Sequence, residues 1–129
     1  MIGSTRQVAV YAYGAPADLR KGFDGLTALV TQGLHRDPLS GDLYLFANRT
    51  RKRAKVLLWD GTGLCIYAKR LERGRFACLW RDGGMNTLRL TLSELQLFLE
   101  GSALVGRVVL SPPIFSLNRE KTLDPGIAP

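Results

Sequence analysis

Residues 43 to 70 read LYLFANRTRKRAKVLLWDGTGLCIYAKR, and this pattern decides the fold. It contains three apolar segments of strand length: Leu43–Asn48, Ala54–Trp59 and Leu64–Arg70. A basic tip, Arg49–Arg53, separates the first two. Asp60-Gly61-Thr62-Gly63 separates the second and third, and an Asp-Gly step there is a strong hairpin signal because glycine accepts the left-handed backbone. Alternation assigns the faces. Lys55, Leu57 and Trp59 share one side of the second strand, and Val56 and Leu58 the other. On the third strand Cys65, Tyr67 and Lys69 share a face opposite Leu64, Ile66, Ala68 and Arg70. Both faces carry apolar residues, so the pattern predicts an antiparallel meander covered on much of both sides, with positive charge at strand ends and turns. Glu72-Arg73-Gly74-Arg75 reads as the next turn and Phe76–Arg81 as a fourth strand.

Upstream, Val8–Tyr13 alternates as a strand, and Gly14-Ala15-Pro16 breaks it. Leu19, Phe23, Leu26 and Val30 follow at helical spacing. A helix is expected from Phe23 to Leu34, with Gly33 near its end and Asp18–Gly22 as a lead-in turn. Asp37-Pro38-Leu39-Ser40-Gly41 is a turn. Downstream, Asp82-Gly83-Gly84 is a loop, and Leu88, Leu90 and Leu92 alternate with Arg89 and Thr91 as a short strand. Thr91-x-x-Glu94 fits a capping box that opens a second helix. Leu92, Leu95, Phe98 and Leu99 form its stripe, and Gly101 stops it. After Val108-Val109-Leu110 the prolines and the lack of periodicity predict a mobile tail over 111–129. The expected fold is therefore α+β: one domain over residues 1–110, a mostly antiparallel sheet packed with one longer and one shorter helix.

A chain of 129 residues can bury a core without disulfides or metals. Its 46% hydrophobic and 22% charged residues are ordinary for a soluble protein. No apolar run approaches the roughly 18–20 residues of a membrane span, and Met1–Val10 has no signal-peptide pattern, so a cytoplasmic location is expected. Cys65 and Cys78 form no Cys-x-x-Cys pair, and His35 is the only histidine, so a zinc site of about four N/S ligands cannot be supplied without carboxylates. The cysteines read as small apolar residues, and His35 as a surface or capping residue. Gly61-Thr62-Gly63 sits in a hairpin rather than at a strand-to-helix junction, with no Walker lysine after it. Asp18, Asp24, Asp37, Asp42 and Asp60 each have a local role as cap, turn or surface residue. No Ser-His-Asp or Cys-His set stands out. The sequence thus points to no catalytic residues, no cofactor and no metal: not an enzyme.

Charge carries the positive signal. The chain has a net charge of +7, yet from Arg49 to Arg81 ten basic residues face only Asp60 and Glu72, a local excess of +8. In a three-stranded meander the tip after the first strand and the turn after the third lie at the same end. Arg49, Arg51, Lys52, Arg53, Lys55, Lys69, Arg70, Arg73 and Arg75 are therefore the expected DNA contacts, acting mainly on phosphates. The bland alternative is a solvated basic edge that keeps the sheet from pairing with others. Tyr44, Phe46, Trp59 and Tyr67 have rings able to stack on bases, but aromatics inside strands are more often core.

Several blocks also resemble a known family. They are Arg20-Lys21-Gly22-Phe23-Asp24-Gly25-Leu26, Asp37-Pro38-x-Ser40-Gly41, Trp59-Asp60-Gly61-x-Gly63 and Lys69-Arg70-Leu71-Glu72-x-Gly74-Arg75-Phe76, closed by the Leu-rich stretch Leu92–Gly101. In this order they resemble the accessory protein labelled TnpB in insertion sequences of the IS sixty-six type, which is unrelated to the RNA-guided nuclease sharing that label. The resemblance runs from about Val8 to Gly101. It departs at Ala77-Cys78-Leu79-Trp80, where relatives often place Trp-Pro, and in the tail. It implies a role in DNA transposition beside a separate, larger DDE-type transposase, and it brings no catalytic residues. The expected partners are element-end DNA and that transposase, with no membrane, and homo-oligomers stay open. Two rival readings are a protein-interaction adaptor that docks on the transposase without touching DNA, and a metal-dependent nuclease.

Overall fold

The computed structural model describes residues 7–80 and 87–101. The expected loop at Asp82–Gly84, Arg81, the Val108–Leu110 segment and the tail over 111–129 lie outside the described residues. The elements are β1 (Val10–Ala12), α1 (Phe23–Ala28), which continues as a wider π turn (Leu29–Gly33), β2 (Leu43–Ala47), β3 (Arg53–Trp59), β4 (Leu64–Arg70), β5 (Leu88–Leu90) and α2 (Leu92–Leu99). They form a five-stranded sheet in the order β4-β3-β2-β1-β5. The β2-β3-β4 meander is antiparallel throughout. Strand β1 runs parallel to β2, with Val10 opposite Leu43, and antiparallel to β5, with Val10 opposite Leu90. The fold is α+β, with a mostly antiparallel sheet and one longer and one shorter helix.

Each face of the sheet has its own core. On one face Tyr44, Phe46 and Leu57 meet Leu26 and Val30 of the first helix, Tyr13, and Leu19 from the loop before the helix. On the other face Val10, Leu45, Ala54 and Val56 meet Leu95 and Phe98 of α2 together with Phe76, Ala77 and Leu79. Full burial of one such side chain contributes about 1.5–3 kcal/mol. This explains why the central strands carry apolar residues at successive positions instead of alternating.

Three sequence expectations need correcting. Phe76–Trp80 is not a fourth strand. Its buried positions, 76, 77 and 79, do not alternate, because the segment lies across the α2 face instead of joining an edge. Phe23 is 48% exposed, since α1 begins there and Leu19, still in the loop, takes the buried place. Leu92 is 54% exposed in the first turn of α2, so the buried stripe starts at Leu95.

The helix ends follow local chemistry. At α2, the Thr91 side chain accepts from the Glu94 N–H at 3.0 Å, while the Thr91 N–H donates to Glu94 Oε1 at 2.8 Å, the reciprocal capping box. Gly101, with φ +77°, turns the chain away in the left-handed region and lies against Leu71. The first helix ends with His35 in the left-handed region, φ 56°. There the Leu34 N–H reaches Leu29 O and the Arg36 N–H reaches Val30 O, which satisfies the last carbonyls. Gly33 lets the Tyr13 ring pack directly against the end of the helix, because a Cβ there would stand 2.8 Å from that ring.

Candidate nucleic-acid interface

The antiparallel register brings both basic turns to one end of the sheet. Ala47 pairs with Ala54 and Arg53 pairs with Arg70, so the β2–β3 tip and the chain leaving β4 are neighbours. Backbone bonds fasten them together: Leu71 N–H to Lys52 O at 2.8 Å and Phe76 N–H to Arg51 O at 2.7 Å. Asn48 shapes the tip itself, its Oδ1 accepting from the N–H groups of Lys52 and Arg53. Arg51 adopts φ 61°, a left-handed conformation costing roughly 1–2 kcal/mol for a residue with a Cβ. Its backbone N–H to Asn48 O and its guanidinium to Phe76 O offset that cost.

The nine expected DNA contacts are thereby sorted. Arg49, Lys52, Arg53, Arg73 and Arg75 are exposed, and among the described residues their side chains have no hydrogen bond or ion pair. Arg70 is exposed too and makes only a stretched contact of 3.5 Å to Glu72. The other three are occupied. Lys55 Nζ donates to Leu19 O at 2.6 Å and so ties the loop before α1 to β3. On the opposite face Lys69 Nζ donates to Leu99 O at 2.7 Å, a cation at the negative end of α2. Arg51 braces Phe76. The charges also divide between faces: Arg53, Lys55 and Arg70 lie on the α1 side, Lys69 on the α2 side.

Sequence reasoning missed a contribution from the N-terminal half. After β1 the chain stays hydrogen-bonded to β2, through Tyr13 N–H to Leu45 O and Ala17 N–H to Ala47 O, both 2.9 Å. This carries Asp18, Leu19 and Arg20 to the basic end. There they close a groove of about 930 Å³ whose walls include Asp18, Arg20, Arg53, Lys55, Arg70 and Glu72. The Arg20 guanidinium grips Asp18 through two bonds, at 3.0 and 3.1 Å. That contact, with the Arg20 backbone N–H, holds the Asp18 carboxyl down at about 2. The only sequence signal for it was the exposed Arg20-Lys21 pair, and nothing local links that pair to a hairpin 30 residues away. A cation–aromatic cluster stands apart, with Arg36 and Arg89 at 4.0 and 5.3 Å from the Tyr11 ring.

The rings are divided as well. Tyr44 and Phe46 are fully buried and Trp59 half-buried, whereas Tyr67 is 51% exposed. Asp60 is a turn residue: the N–H groups of Thr62 and Gly63 and the Thr62 hydroxyl bond its Oδ1 and hold its carboxyl at about 2. Among the described residues no group of three or more His, Cys, Asp or Glu gathers as a metal site. No described helix is long and apolar enough to cross a membrane.

Residues 8–107, which span every described element of the fold, match the family model described as IS66 Orf2 like protein. The chain belongs to this family. Two relatives come from Sinorhizobium fredii (strain NBRC 101917 / NGR234). "Uncharacterized protein y4hO" is 35% identical over 78% of this chain and 86% of its own length. "Uncharacterized protein y4jC" is 38% identical over 59% of this chain and 65% of its own length, so the match spans just under two thirds of that relative. No solved structure matches. Membership in the IS66 Orf2-like family supports an accessory role in transposition.

Proposed function

We propose that the chain is a non-catalytic accessory protein of IS66-type transposition that binds DNA phosphates at the basic end of its sheet and assists a separate transposase. The observation that carries this reading is the fastening of two basic turns to each other at one sheet end. Arg49, Lys52, Arg53, Arg70, Arg73 and Arg75 are the contacting residues, and Arg51, Lys55 and Lys69 hold the shape. Phosphate contact with counterion release predicts a log–log salt slope of at most about −5 for six contacts, at about 0.9 each. Affinity for element-end DNA then falls about a thousandfold between 50 and 200 mM salt. Replacing Arg49, Lys52, Arg73 and Arg75 by Gln reduces the slope by about 1 each. A slope untouched by all four substitutions refutes DNA contact at this end. Capture of the transposase by nuclease-treated protein that shows no DNA binding supports the adaptor reading instead.

A further inference from the structure

Antiparallel register places Arg53 directly opposite Arg70, both on the α1 face. Like charges facing each other across a strand pair are destabilising, with Cβ atoms only about 4.5–5.5 Å apart. The neighbouring acids relieve the pair only in part. Asp18 is held by both arms of Arg20, and Glu72 reaches only Arg70, at 3.5 Å. One residue pair further in, Lys55 faces Ala68, whose small side chain leaves room beside the two guanidiniums. The Lys55 ammonium is anchored to Leu19 O and adds a third positive charge to the same face. The groove is therefore lined by three cations, two of them on directly opposed residues of the strand pair.

We propose that Arg53 and Arg70 form a two-armed seat for a single phosphate of a nucleic-acid backbone, which leads one strand into the groove between β3–β4 and the Asp18–Arg20 loop. Two planar guanidinium forks suit the tetrahedral oxyanion better than two ammonium groups, because each offers paired N–H donors in one plane. The groove, at about 930 Å³, has room for that phosphate and its flanking sugars. This inference rests on the DNA-binding reading but is narrower: one phosphate is shared by two arginines, so their contributions are not independent.

The test compares the full chain with Arg53→Gln, Arg70→Gln and the double variant, using duplex DNA across a salt series. Thermal melting with inorganic phosphate, against chloride at equal ionic strength, provides a second readout. A shared seat predicts that the double variant lowers the salt slope by about 1 in total. It also predicts that phosphate raises the melting temperature of the parent chain and that either single variant loses this gain. Both positions are exposed, and Arg70→Gln gives up only a stretched 3.5 Å contact to Glu72, so the variants melt close to the parent in chloride and the result does not depend on a damaged fold. A slope reduced by about 2, additively, overturns the shared seat and leaves DNA contact standing. An unchanged slope with an unchanged phosphate gain also overturns it, and the pair is then a basic edge that only discourages strand pairing. If the parent chain fails to bind DNA at 50 mM salt, the wider reading falls and the nucleic-acid seat with it. A phosphate gain lost in the variants then marks a site for free phosphate.

Discussion

Phe76 lies outside every helix and strand, yet it joins the basic tip to the second core. Its N–H donates to Arg51 O at 2.7 Å and its carbonyl accepts from the Arg51 guanidinium at 3.3 Å. Its ring is fully buried and stacks on Phe98 with centroids 5.0 Å apart and planes 9° from parallel. Truncating Phe76 to Ala leaves a cavity beneath α2 and costs about 3–5 kcal/mol. A small domain has only about 5–15 kcal/mol in total, so this variant is marginal. With a urea slope of about 1–3 kcal/mol/M, the unfolding midpoint drops by at least about 1 M. Phe76→Leu keeps much of the volume and costs about 1–2 kcal/mol. That makes a double-mutant cycle of Phe76→Leu with Phe98→Leu feasible, and the stacked geometry predicts a coupling of about 0.5–1.5 kcal/mol. If the tip contacts DNA as proposed, loosening its brace in Phe76→Ala engages fewer phosphates and makes the DNA salt slope shallower than in the parent. A Phe76→Ala cost below about 1 kcal/mol, or no coupling to Phe98, would show that the segment does not brace the interface.

The remaining predictions concern groups that the structure gives separate roles. Thr91→Ala removes one half of the capping box and lowers unfolding free energy by about 1 kcal/mol in urea titration. Lys69→Met frees the Leu99 carbonyl and costs about 1 kcal/mol, but leaves the DNA salt slope unchanged, because this amine is occupied by α2. The carboxyls of Asp18 and Asp60 are depressed to about 2 in the folded chain from the ordinary 3.8. Their stabilising contribution is thus complete above about pH 4 and disappears as pH falls toward 2. The urea midpoint should decline between pH 5 and pH 2.5, and less steeply in Asp60→Asn. Equal declines in the two proteins contradict the depressed Asp60 value.

Some of this was legible one strand at a time. The meander, its Asp60–Gly63 hairpin, the capping box at Thr91 and the Gly101 stop depend on residues within a few positions of one another. The failures came where a residue's environment is supplied from far along the chain. Phe76–Trp80 has the composition of a strand, but its partners are α2 and the tip at Arg51, not an edge. Leu92 and Phe23 match the apolar periods of their helices yet fall at first turns, where they remain exposed.

The stretch from Leu43 to Arg70 by itself determined a twisted antiparallel hairpin pair with positive charge at one end. Alternation and turn chemistry are local, and antiparallel connectivity returns the chain to the same side. Only the tertiary structure decided what each charge does. It set Arg53 against Arg70, spent Lys55 and Lys69 on backbone carbonyls on opposite faces, and brought Asp18 and Arg20 to the groove along the parallel β1–β2 pairing. The reason is physical: the role of a cation depends on which carbonyl or carboxylate lies within about 3 Å of it. For these side chains, the carbonyls of Leu19 and Leu99 lie more than 29 residues away in sequence.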